Sequence, residues 1–568
     1  MFAPTFKKEK KMKNCTVSRN NITALFPTQS NQLRGFIIAL SFVILNHVLS
    51  AQFNQIEWAK CYGGSATESA GTAVLNSIGG TSGSAAYAGA GEYYVVTSSN
   101  STDGILYGNK GGDDVWLAKI DNSGDTLWTK VIGGSDSERA YKVRSLSTGG
   151  CVIVGQTLSN NGSFSGNQGI NDAFAVRYSA SGQLIWSKLY GGSALDFLYD
   201  IVETPEGNLV ACGDTGSNDG DLFGTGNGLC WVLWINGSNG NVLDSKTYSS
   251  TNSSSPDYIE NFTCINRLSD NSGFILSGFS TPSFFDFNGD DIFVAKINNA
   301  GALQWTTLVG STTAGEGSAS IIDGGSGQFY IAGRLSGAFD GVTYNGGNGD
   351  AWLIKFDANG SLLWNKNYGG TNWDSFTDAT RDSQGNLYLS AYTRSVDVDL
   401  SSTTPQGLVD FWVLKTDPNG ILISSRRLGG SENDFGLGIA FNEDENEVLI
   451  IGRTESNNGD VSGNYGGRDL LAVKLNGDVV TVSNATRDQN DITIYPIPAI
   501  DKINITYPSP TLIPQRIDIV NGFGKKVLTI ENNISDAIDL VNLSSGIYSI
   551  CFWYKGTNEP IVKTIIKE

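Results

Sequence analysis

The chain has 568 residues, too many for one ordinary domain, and its 70 glycines with 40% hydrophobic residues suit an all-β protein of short strands and tight turns. Its formal charge of -19 repels phosphate backbones and speaks against nucleic acid as a partner. The one histidine, His47, falls in the leader described next, so the rest of the chain has no imidazole for a Ser-His or Cys-His nucleophile, nor for a His-bound zinc or iron.

Residues 1–51 set Lys7, Lys8, Lys10, Lys11, Lys13, Arg19 and Arg34 against the single acid Glu9, and then run into "GFIIALSFVILNHVLSA" from Gly35. A basic stretch, an apolar stretch and small residues before a cut between Ala51 and Gln52 read as a secretory signal peptide, with Met12 as an alternative start. A membrane anchor is the competing reading, but Asn46 and His47 interrupt a run shorter than the ~20 apolar residues that a span needs. No other stretch is apolar enough to cross a bilayer, so the mature chain is expected to have no transmembrane span.

Residues 52–482 repeat one phrase. "WSKLYGGSALD" from Trp186 returns as "WAKCYGGSATE" from Trp58, "WTKVIGGSDSE" from Trp128 and "WNKNYGGTNWD" from Trp364. The element falls at Gly63, Gly133, Gly191, Ser249, Gly310, Gly369 and Gly429, at intervals of 58 to 70 residues, which gives seven units. Each unit reads as two hairpins, such as one turned at Glu206-Gly207-Asn208 and one at Ser181-Gly182, hence four strands. The array enters on the fourth strand of a unit, "IEWAKCYGG", and leaves on the third, "DLLAVKLNGDVV". The strand around Trp58 is therefore expected beside that around Leu471, completing a seven-bladed β-propeller without a free edge.

Two aromatic series recur: Trp58, Trp128, Trp186, Trp305 and Trp364, and Trp116, Phe174, Trp231, Phe293, Trp352 and Trp412. They read as packing between splayed blades rather than as a sugar platform. Asp244 and Ser424 break the first series, so the fourth and seventh units, counted by the glycine element, are expected to be less well packed. An acidic series follows the glycines: Glu68, Glu138, Asp196, Asp257, Glu316, Asp374 and Asp434. If this loop leads into the innermost strand, these carboxylates ring one mouth of the channel and could hold a cation such as calcium. The alternative is that each accepts backbone N–H groups of its own turn. Asp114, Asp172, Asp291, Asp350, Asp410 and Asp469, opening the third strands, have the same two readings. Asp-, Asn- and Gly-rich loops such as "TGSNDGDLFGTGNG" and "SVDVDLS" lack the EF-hand spacing and are a weak metal signal. Outside the leader Cys61, Cys151, Cys212, Cys230, Cys264 and Cys551 form no CxxC pair; Cys212 and Cys230, on consecutive predicted strands, are the candidate disulfide.

After a linker at 483–489, residues 490–568 change character to short alternating strands and glycine turns, a small Ig-like β-sandwich. This segment resembles the type A C-terminal sorting domain of type IX secretion cargo from Bacteroidota. "YPIP" at Tyr495, Pro496, Ile497 and Pro498 stands where that family has Tyr-Pro-Asn-Pro, "NGFGKKV" contains Gly524, "LSSGIYSI" contains Gly546 and Tyr548, and "KTIIKE" contains Lys567. The resemblance implies Sec export, passage through the type IX machinery by way of residues 490–568, and a secreted or surface location. The repeat region also looks like propeller repeats of large secreted proteins of these bacteria.

For function, the repeat favours a non-enzymatic binding or adhesion scaffold for extracellular polysaccharide or protein, with no cofactor other than a cation such as calcium. The alternative is a polysaccharide hydrolase or lyase working through paired carboxylates, although near-identical blades offer no singular constellation. A quinone-dependent dehydrogenase is suggested by "KIDNSGDTLW" at 119–128, but that family generally has eight blades and the adjacent-cysteine pair of many members is absent.

Overall fold

A computed structural model describes residues 56–68, 83–222, 230–248, 259–281, 291–311, 315–401 and 403–476. In the C-terminal segment it describes 493–495, 499–506, 514–521, 525–531, 537–553 and 561–567. The leader, the linker, Asp257, Pro496, Pro498 and Gly524 lie outside the described residues.

Residues 56–476 form seven four-stranded antiparallel sheets. The first strands of blades 1 to 7 are Ser84–Gly89, Glu138–Ser145, Asp196–Glu203, Ile259–Arg267, Gly317–Gly325, Asp374–Arg381 and Asp434–Asn442. Each packs against the first strands of both neighbours, including blade 7 against blade 1, so these strands surround the axis. In blades 1 to 6 the chain then runs outward through three further strands. In blade 7 the outermost strand is Ile56–Tyr62, the first of the array, paired antiparallel with Asp469–Asn476 from Tyr62 opposite Leu470 to Ile56 opposite Leu475. The expected partnership of the strands around Trp58 and Leu471 is the one observed.

The repeated phrase is a clamp from each blade to the next. Trp58 lies against the turn of blade 1, donating its indole N–H to the Asn122 carbonyl at 2.8 Å, while the Tyr62 hydroxyl donates to the Gly124 carbonyl at 2.6 Å. Gly124 has φ +76°, and a Cβ there would lie 2.8 Å from the Trp58 ring, so the position demands glycine twice over. Trp128 on Gly182, Trp186 on Gly240, Trp305 on Gly360 and Trp364 on Gly420 repeat the contact. The junction of blade 7 with blade 1 thus uses the same clamp as four of the other junctions.

The expectation of poorer packing at Asp244 needs correction. Trp234, which pairs with Asp244 across the sheet, covers Gly301 of the next turn in place of the missing tryptophan. At the second break, Ser424 is itself buried. The rings Trp116, Phe174, Trp231, Phe293, Trp352 and Trp412 are all at most 1% exposed, as packing requires.

The C-terminal segment forms two sheets, Thr493–Tyr495, Lys502–Thr506 and Ala537–Asp539 in one, and Lys526–Glu531, Arg516–Asn521, Gly546–Trp553 and Ile561–Lys567 in the other. Ile503, Ile517, Ile519, Ile550, Phe552 and Ile565 build their shared core. The Tyr548 hydroxyl donates to the Ser544 carbonyl at 2.7 Å, and Lys567, bridged to Ala499, is buried. Those contacts give the "LSSGIYSI" and "KTIIKE" blocks structural roles, and Gly546 opens a strand with φ +158°.

Candidate functional site: junction, throat and mouth

The acidic series is placed first. Glu138, Asp196, Asp374 and Asp434 open the first strands of blades 2, 3, 6 and 7, Glu316 stands just before that of blade 5, and Glu68 precedes blade 1. All six are at most 1% exposed. The expected seventh, Asp257, lies outside the described residues; the residue level with Asp196 in blade 4 is Glu260, which faces Ser280 as Asp196 faces Thr215.

Each carboxylate serves its own turn. Asp196 accepts the Gly192 N–H at 2.9 Å and the Ser217 hydroxyl at 2.8 Å, and Asp434 accepts Gly430 N–H at 2.7 Å and Ser456 at 2.8 Å. Glu138 accepts Gly134 N–H at 2.8 Å and the Thr157 hydroxyl at 2.6 Å. The doubled glycine follows from this. A Cβ on Gly133 would strike both Asp114 and Glu138, and one on Gly134 would strike the loop at Ser159 and Asn161. That loop position holds Asp219, Asp397, Asn161 or Asn458, each accepting the backbone N–H two residues after the first glycine. Asp and Asn interchange there because the turn needs an acceptor oxygen rather than a charge.

The acids meet in pairs, each from the first strand of one blade and the third strand of the blade before. Asp114 accepts the Lys110 N–H at 2.6 Å and faces Glu138; burial, with the Glu138 carboxylate behind it, pushes its carboxyl up. Burial raises Glu68 and its neighbour Asp469 likewise. Burial pushes Asp172, beside Asp196, up to about 6, Asp350, beside Asp374, up to about 6, and Glu316, beside Asp291, up to about 7. A buried carboxyl beside a carboxylate is favoured in its protonated form. At the junction of blades 6 and 7 an arginine intervenes: Arg427 reaches Asp410 at 2.6 Å, both nearly inaccessible. The structure therefore distributes the series among separate junctions, and among the described residues no three His, Cys, Asp or Glu converge on one point.

A singular constellation lies one turn deeper. The first strands of blades 2 to 7 carry a β-bulge two to three residues after the acid, leaving Tyr141, Tyr199, Thr263, Ala319, Thr377 and Leu437 unpaired. The next residues, Lys142, Asp200, Cys264, Ser320, Asp378 and Gly438, are of five types in six blades. Lys142 of blade 2 sits 3.1 Å from both Asp378 oxygens of blade 6. Those blades are not neighbours, so the ion pair spans the axis. Asp378 also accepts the Ser320 hydroxyl of blade 5 at 3.0 Å and its own Ala379 N–H at 2.9 Å. Arg144 grips Asp200 with three contacts of 2.9 to 3.1 Å, and Asp200 accepts the Ile265 N–H of blade 4 at 3.3 Å. These groups close the throat with matched charges.

The mouth above is lined by pairs one residue past the acid. They are Arg139 opposite Gln156, Phe197 opposite Asp214, Asn261 opposite Phe279, Gly317 opposite Arg334, Ser375 opposite Tyr392 and Phe435 opposite Arg453. On one side Phe197 stacks on Tyr199 with centroids 5.8 Å apart, and Tyr141 lies tilted against Tyr199 at 4.9 Å. On the other, Tyr392 lies 5.0 Å from Trp373 and 5.4 Å from Phe435.

The throat and mouth were missed in the sequence, although a signal existed. Aligned on the acid, the positions one and four residues later hold five residue types each in six blades, whereas the acid itself is only ever Asp or Glu. The candidate disulfide needs correction: Cys212 pairs with Val232 and Cys230 with Asp214, two residues out of step, and the two are not joined in a disulfide.

The fold and site thus define a seven-bladed propeller followed by a second, smaller β-domain. Residues 493–568 match the secretion system C-terminal sorting domain family and belong to it. The chain is type IX secretion cargo bound for the cell surface or the medium, and this domain is its link to that machinery. Among the described residues no helix is long and apolar enough to cross a membrane. A curated relative, the regulatory protein FlaEY of Caulobacter vibrioides, is 24% identical over 536 residues, covering 83% of this chain and 51% of its own length. The chain thus spans about half of that relative. Among solved structures, PorZ, a surface component of the type IX system of Porphyromonas gingivalis, aligns at 12% identity and TM-score 0.35 over 84% of this chain and 58% of its own. BamB of Moraxella catarrhalis aligns at 10% and 0.33 over 68% and 94%.

Proposed function

We propose that the exported propeller is a non-enzymatic binding scaffold that presents its mouth to extracellular polysaccharide or protein. The observation that carries this reading is the contrast at equal register. The junctions repeat an acid and a glycine element in blade after blade, whereas no two of the six described mouth pairs are alike. Side chains that no packing role keeps uniform are free to suit a ligand. The closed throat supports a ligand read from the face rather than one threaded through the axis. The hydrolase or lyase alternative needs two carboxylates open to substrate, and the paired carboxylates here are buried and occupied by turn N–H groups and hydroxyls. A glycan array probed with the full chain, with and without calcium, tests the reading. Retention of a defined set of glycans without turnover is expected, and hydrolysis of any of them overturns it.

A further inference from the structure

Blades 5 to 7 concentrate cations at the mouth of an otherwise acidic protein. The Arg453 guanidinium lies over the Phe435 ring at 4.1 Å, and Arg394 lies over Trp373 at 5.2 Å. Arg453 is only 8% exposed, and its Nε finds no hydrogen-bond partner among the described residues; the Nε of Arg334, close to the same Tyr392, is buried and unpartnered as well. The nearby carboxylate, Glu455, is engaged by Arg468 at 2.6 Å and by the Asn433 amide at 2.8 Å. Burial, with Arg468 beside it, holds Arg453 down at about 10. A desolvated guanidinium facing aromatic rings is costly unless an anion completes it, and guanidinium forks match carboxylate and sulfate geometry.

We infer that Arg453, Arg334 and Arg394 bind a single anionic group, a carboxylate or a sulfate, carried on a sugar. The inference rests on the glycan half of the binding reading above. A single charge fits better than a polyanion, because the chain's net charge of -19 repels a dense one.

The experiment titrates the full chain with three disaccharides by calorimetry: one with a glucuronate end, one monosulfated, and their neutral counterpart. The charged sugars are expected to bind about tenfold tighter than the neutral one, with the stronger of the two naming the anion. Arg453→Gln and Arg394→Gln are each expected to erase that difference. Arg394 is exposed, so its variant keeps the test valid even if Arg453→Gln folds poorly. Equal binding of charged and neutral sugars, or charge preference that survives both substitutions, overturns the inference and leaves the scaffold reading standing. Binding of none of the three overturns the inference and the glycan half of that reading together.

Discussion

The blade junctions and the mouth are built from the same strands a few residues apart, and they differ in what varies. At six junctions the described residues include a buried acid of the turn, and the substitutions tolerated there, Asp for Glu or Asn for Asp, preserve an acceptor oxygen. One residue further along the strand the occupants run from arginine through phenylalanine to glycine. Four residues along they run from lysine through cysteine to aspartate. Geometry imposes the first kind of residue seven times because seven blades meet seven neighbours; nothing in the ring imposes the second kind. In a repeat protein, departure from the repeat is therefore the more informative signal about binding, and adherence to it is about architecture.

Breaking the ring itself should have the largest effect. Removal of residues 56–62 takes away the outer strand of blade 7 together with the Trp58 clamp on Asn122 and the Lys60 ion pair with Asp125 at 2.6 Å. Trp58 is half-buried, so its share of the loss stays below the ~3–5 kcal/mol of a fully buried tryptophan. Aggregation, or a collapse of the melting temperature, is expected in differential scanning calorimetry; a truncated chain as stable as the intact one would show that the shared blade is dispensable.

Next in size is the throat. Lys142→Ala leaves Asp378 buried without its cation and is expected to cost about 3 kcal/mol in urea unfolding. Replacing both partners, Lys142→Met with Asp378→Leu, should recover much of that loss, since no charge is then stranded. If the single and double variants are equally damaged, the ion pair is not what matters there.

Smaller again is the junction turn. Gly133→Ala pushes a methyl into Asp114 and Glu138, and about 1–3 kcal/mol is expected, as for other overpacking. Gly207→Ala, at a turn with open space around it but φ +79°, meets backbone strain alone and is expected to cost less. A reversal of that order would mean that the carboxylate pair yields readily to the methyl.

Buried carboxyls at the junctions and mouth also give stability a pH dependence. Glu316 at about 7, Asp172 and Asp350 at about 6 and Asp214 at about 7 hold their protons more tightly when folded than the ~4 expected of unfolded carboxyls. Between those values the folded chain binds more protons than the unfolded one. Their contribution is therefore complete below about pH 4 and is lost as the pH rises toward 7. The melting temperature is expected to fall between pH 5 and pH 8, and Asp172→Asn with Glu316→Gln to flatten that slope. A melting temperature that climbs across the same range would contradict the assigned protonation. Calcium should have the least effect: because the acids sit in separate junctions, millimolar calcium is expected to leave the melting temperature unchanged.

Much of this was legible in the sequence because turn chemistry is local. Glycine doublets, the acid five residues on and the tryptophan ahead of them all act within one junction, so their spacing survives into the fold. In blade 4 the count from Ser249 leads to Asp257, which lies outside the described residues, while strand register puts Glu260 level with Asp196. Trp234 was invisible as a substitute for the missing tryptophan because it lies on the partner strand, related to Asp244 by pairing rather than by position. The throat escaped for a topological reason: Lys142 and Asp378 are 236 residues apart and meet only because the blades go round an axis. Bulges compound this, since one extra residue re-aims the side chains that follow.

One paired set of substitutions tests the central claim most directly, reading melting temperature and glycan-array profile on the same preparations of full chain. The set comprises Gly133→Ala, Gly191→Ala and Gly369→Ala at the junctions, and Arg334→Gln, Tyr392→Phe and Arg453→Gln at the mouth. If junctions build and the mouth binds, the glycine variants lower the melting temperature and keep the wild-type profile below it. The mouth variants then change the profile with little loss of stability. Mouth variants that cost as much stability as the glycine variants and leave the profile untouched would contradict the division on which the functional reading stands.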